Sequence, residues 1–77
     1  MGNRYLSSIL GDLRSGTEHC KNLKETLTQF DVDFPFIDEE MPKGIQRLVG
    51  ISIPSLESAI ITTETISNMI EEVLNRG

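Results

Sequence analysis

Cysteine and histidine occur once each in 77 residues, tryptophan not at all, and tyrosine once. A lone Cys20 excludes a disulfide within the chain. Together with the neighbouring His19 it falls short of the four ligands of a structural zinc site. No apolar run approaches the ~20 residues needed to cross a bilayer, and there is no hydrophobic signal core, so a soluble, cytoplasmic protein without a membrane partner is expected. The glycines at 11, 16, 44 and 50 form no phosphate-binding fingerprint. Gly2 lacks the Ser or Thr that myristoylation requires at the place held by Leu6. Basic residues number 7 against 12 acidic ones, for a net charge of −5, which disfavours duplex nucleic acid as a partner.

Catalytic groupings are also missing. His19 and Cys20 are sequence neighbours, and neighbours on a helix point about 100° apart, so they do not form a base and nucleophile pair. Glu57, Glu64 and Glu71 recur every seven residues, which separates them by about 10 Å along a helix, too far for one metal ion. They read as a solvated face. No enzyme and no cofactor are implied.

A chain this short buries roughly 60% of its unfolded surface, and its core alone rarely supplies more than about 5 kcal/mol. With a disulfide excluded within the chain, and a zinc site formally possible only between subunits, a partner subunit is the expected supplement. The sequence carries a matching signal. Leu6, Leu13, Cys20 and Leu27 are seven residues apart, each followed three residues later by Ile9, Gly16, Leu23 and Phe30. Four such heptads lay one stripe along a helix, the pattern of a seam between packed helices, and those eight residues are the expected oligomer interface.

The expected architecture is a single all-α domain over residues 1–77. One long helix covers about 3–30, either continuous or bent near Ser15-Gly16, where Ser15 and Glu18 match a capping box. A second long helix covers about 53–76, with Pro54 in its first turn and an apolar stripe of Leu56, Ala59, Ile60, Ile66, Ile70, Val73 and Leu74. The two are expected to lie antiparallel in an oligomeric helical bundle. Between them, Asp31 to Met41 reads as an extended acidic-aromatic connector, with Val32, Phe34 and Phe36 on one side. A short helix is expected over about 42–49, closed by Gly50. Val32, Phe34 and Phe36 either fold back over the core or form a docking peptide rimmed by Asp31, Asp33, Asp38, Glu39 and Glu40.

Beside the apolar stripe, Ser55, Ser58, Thr62 and Thr65 form a hydroxyl stripe that serves either close helix packing or a polar lining for a ligand. Arg4, Tyr5, Arg14, Lys43 and Arg47 are the cations and the ring that, with Thr62 and Thr65, would complete a site for a small anion. The leading functional expectation is a non-catalytic binding module that associates with itself. The alternatives are an oligomeric sponge holding a nucleotide-like anion between subunits, as very small proteins of viruses or mobile elements can do, and an adaptor or inhibitor that docks on a larger protein through residues 31–40.

Overall fold

The computed structural model describes residues 2–76. Helix α1 runs from Gly2 to Asp33 and helix α2 from Ile45 to Arg76, each 32 residues long. They pack antiparallel, joined by two single-turn 3₁₀ segments at Phe34–Phe36 and Asp38–Glu40, and the described residues contain no strand. The result is a rod of 57 × 15 × 15 Å with a radius of gyration of 17.2 Å. A compact chain of this length would have a radius near 11.5 Å, so this hairpin is far from globular.

α1 passes through Ser15-Gly16 without a break. Two boundary expectations are corrected. Residues 42–49 are not a separate helix: α2 starts at Ile45 and continues through both Gly50 and Pro54. The apolar pattern explains why. Ile45, Ile53 and Leu56 are half-buried and Val49 is buried at 5% exposure, so one continuous stripe faces α1 across the expected boundary. Packing along that stripe outweighs the helix-breaking preference of Gly and Pro.

The connector is not extended either. Asp31 to Asp33 form the last turn of α1, and Pro35 sits in the first turn of a 3₁₀ segment, where its missing N–H is not needed. The Ile37 amide closes that turn on the Phe34 carbonyl at 3.0 Å. The period of three separates the side chains that a period of two would have aligned. Phe34 is buried and lies 5.9 Å from Phe30 ring to ring, whereas Val32 and Phe36 are exposed. Finally, α2 is entered through Gly44 at φ +90°, a left-handed conformation that favours glycine, and the Gly44 carbonyl accepts the Leu48 amide at 3.1 Å.

The same substitution therefore has opposite signs at two glycines. Gly11 is helical, exposed and has open space where a Cβ would go. Gly11→Ala should raise unfolding free energy by about 0.5–1 kcal/mol, while Gly44→Ala should lower it by about 1 kcal/mol. Denaturant titration at one fixed protein concentration checks both.

Candidate functional site

The helices meet along a seam of Leu6, Leu10, Leu13, Thr17, Cys20, Lys24 and Leu27 in α1. In α2 it comprises Val49, Leu56, Ile60, Thr63, Ser67, Ile70 and Leu74, all of them buried or half-buried. Of the eight residues expected as an oligomer seam, Leu6, Leu13, Cys20 and Leu27 thus face the chain's own second helix. The other four lie one flank over. Gly16 and Leu23 are exposed, and Ile9 and Phe30 are half-buried.

The seam has a polar centre. The Thr17 and Thr63 hydroxyls are 2.6 Å apart, Thr17 also reaches the Leu13 carbonyl at 2.8 Å, and Thr63 reaches that of Ala59 at 2.8 Å. Each hydroxyl has one proton, so one of them bridges the helices while the other bonds its own helix. The buried Ser67 hydroxyl donates to the Thr63 carbonyl at 2.8 Å. Sequence reasoning noted Thr63 as an interruption of the apolar stripe but missed its partner. Thr17 carried no signal beyond its place, four residues after Leu13.

The two flanks of the seam differ in chemistry, and the difference follows from one-residue offsets, each worth 100° around a helix. Half of the residues just after seam positions are charged, and the exposed Ile61 lies among them. Arg14 pairs with Glu71, Lys21 with Glu64 at 3.6 Å, and Lys24, itself in the seam, with Glu57 at 3.1 Å. The heptad glutamates are therefore a solvated face, as expected, and also one side of an interhelix ladder. The readable signal was that Arg14 and Lys21 share the glutamates' seven-residue spacing. The residues just before seam positions are mostly neutral. In α1 these are Ile9, Gly16 and Leu23, with Asp12 and His19 at the margin. In α2 the stripe of Leu48, Ser52, Ser55, Ala59, Thr62, Ile66, Met69 and Val73 carries no charge. Because the helices are antiparallel, both of these flanks open on the same side of the rod, opposite the ladder. Leu23, Leu48, Ile66, Met69 and Val73 are exposed there, Met69 at 62%.

The expected anion-binding residues are not gathered within one chain. Arg4 and Tyr5 lie at the open end of the hairpin, and Lys43 and Arg47 at the turn end, about 45 Å away along the rod. Arg14 is midway and already paired with Glu71. Thr62 lies on the neutral flank, and Thr65 on the outer surface, where its hydroxyl bonds the Ile61 carbonyl at 2.8 Å. The main concavities are open grooves along the ladder, one lined by Lys21, Lys24, Glu25, Thr28, Gln29 and Ile60, the next by Arg14, Thr17, Glu18, Lys21 and Glu64 among others. Their cations face glutamates, which lowers their attraction for an added anion. Cys20 is half-buried in the seam and His19 is exposed. Among the described residues no three His, Cys, Asp or Glu side chains converge as a metal site, and no helix is long and apolar enough to cross a membrane.

No family model, curated protein or solved structure matches this chain. The functional reading therefore rests on the geometry of the two flanks.

Two predictions follow from the seam and the ladder. Replacing both threonines, Thr17→Val with Thr63→Val, removes a donor and its acceptor together and should be neutral or stabilising by up to about 1 kcal/mol. The two changes should also be non-additive in a double-mutant cycle. Changing Glu57, Glu64 or Glu71 to Gln should each cost less than about 1 kcal/mol, an effect that disappears in concentrated salt because the ladder is solvent-exposed.

Proposed function

We propose that the chain is a non-catalytic helical module whose activity is association, first with itself, through the neutral flank of the hairpin. One observation carries this reading. Among the described residues no side chain is fully buried, yet Leu23, Leu48, Ile66, Met69 and Val73 stand exposed on one side of the rod. Isolated exposed apolar residues are ordinary, whereas several of them along one uncharged stripe beside an incomplete core mark an interaction surface. The ladder on the opposite flank hydrates that side around a single exposed isoleucine, Ile61, and so concentrates the exposed apolar side chains of the seam's two flanks on the neutral one.

A second reading is supported by Phe36. It is 85% exposed at the turn end, on a segment with Asp31, Asp33, Glu39 and Glu40. An aromatic anchor within an acidic rim suits docking on a basic groove of a larger protein. Sequestration of a small anion would require subunits to bring Arg4 and Tyr5 of one chain to Lys43 and Arg47 of another, and the single chain offers no support for it.

The test of self-association is the mass in solution. Sedimentation equilibrium should return a multiple of 8.6 kDa at micromolar concentration, and a mass of 8.6 kDa throughout would defeat the reading. Phe36→Ala should change unfolding free energy by less than about 0.5 kcal/mol, since an exposed ring contributes little to the fold. A loss of several kcal/mol would make Phe36 a core residue and remove it as an anchor.

A further inference from the structure

We infer that the occupant of the neutral flank is a second copy of this chain, packed α2 against α2 in antiparallel fashion about a twofold axis level with the Ile60–Ile61 bond, to give a four-helix bundle. The inference rests on the self-association reading and names its interface. Three observations support it.

The first is angular. In α1 and α2 alike, the neutral stripe precedes the intrachain seam by one residue, as Leu23 does Lys24, Ile66 does Ser67 and Met69 does Ile70. One residue is 100° of rotation. In a four-helix bundle each helix meets two neighbours at about a right angle, so two stripes in this relation on both helices fit a second hairpin better than a single added helix.

The second is the pattern of side-chain size. The α2 stripe alternates steps of four and three residues and is symmetric about the midpoint between Ile60 and Ile61. A twofold axis there sets Ser52 against Met69 of the second copy, Ser55 against Ile66, Ala59 against Thr62, and Leu48 against Val73. Small side chains meet at the centre, Ile66 and Met69 each meet a serine on either side of it, as interdigitated packing requires, and no charge meets another. The same axis lies level with Asn22–Leu23 in α1, midway between Lys21 and Lys24, which pair with Glu64 and Glu57 on either side of it. Around that point the α1 stripe is more polar, with His19 and Asp12, and it forms the hydrated rim of the same interface.

The third is area. A face 57 Å long and 15 Å wide amounts to roughly 850 Å² per copy, against about 800 Å² per partner in a stable interface.

The experiment is sedimentation equilibrium and circular dichroism on the whole chain and four variants. Thr62 is exposed in the hairpin, and Glu forms helix better than Thr, so Thr62→Glu should keep its helicity while the mass falls from twice 8.6 kDa to 8.6 kDa. Thr65→Glu, on the outer surface, should leave the dimer intact. Ser55→Glu alone should dissociate it, and Ser55→Glu with Ile66→Lys should restore it. Residues 55 and 66 lie about 16 Å apart on their own helix and can pair only across the twofold axis. A wild-type dimer that survives Thr62→Glu, or a double variant that stays monomeric, overturns this interface while leaving self-association standing. A monomeric wild type overturns both.

Discussion

Two helices side by side have no inside. Every seam residue of this hairpin is covered by the opposite helix on one side and by little on the other two, which is why no side chain among the described residues is fully buried. Two 32-residue helices could bury their apolar surface only by adding layers, and the described residues contain no third long helix. The exposed Leu48, Ile66, Met69 and Val73 follow from that constraint, because the sequence supplies more apolar width than one neighbour can cover.

The seam itself is built to hold alignment more than to maximise burial. A centre of Thr17, Thr63 and Ser67 replaces what could have been aliphatic packing, and a hydroxyl bridge forms only when the helices stand level. The ladder of Arg14, Lys21 and Lys24 with Glu71, Glu64 and Glu57 repeats the same register at the surface. Individually these exposed pairs are weak. The seven-residue spacing that Arg14 and Lys21 share with Glu71 and Glu64 penalises a slip of one turn at two places together, which gives the antiparallel alignment its definition.

The all-α class, the two long helices and their antiparallel pairing were legible, because heptads from Leu6 to Phe30 and an apolar stripe from Leu56 to Leu74 are long enough to outweigh any local ambiguity. What local punctuation suggested was less dependable. Gly50 and Pro54 read as a helix end followed by a helix start, yet Val49 and Ile53 carry the stripe straight across them. Asp31 to Phe36 alternates like a strand, but with no sheet to join it continues the helix and closes in a 3₁₀ turn. At the candidate site, the sequence displayed the apolar residues but not their division between partners. Leu6, Leu13, Cys20 and Leu27 belong to a seam whether their companions are Ile9, Gly16 and Leu23 or Leu10, Thr17 and Lys24. Only the position of α2 assigns the second set to the chain and leaves the first open. Glu57, Glu64 and Glu71 were likewise legible as a face, and became a ladder only once α1 lay beside them.

The central claim is that this fold is completed by a second chain. Urea denaturation at two protein concentrations a hundredfold apart tests it most directly, because a dimer gains stability over unfolded chains with concentration whereas a lone hairpin does not. The account predicts that apparent stability rises by about 2.7 kcal/mol per mole of dimer across that range, with a visibly higher midpoint at the higher concentration. Superimposable curves would contradict it, and would establish the two-helix hairpin as a stable unit in its own right.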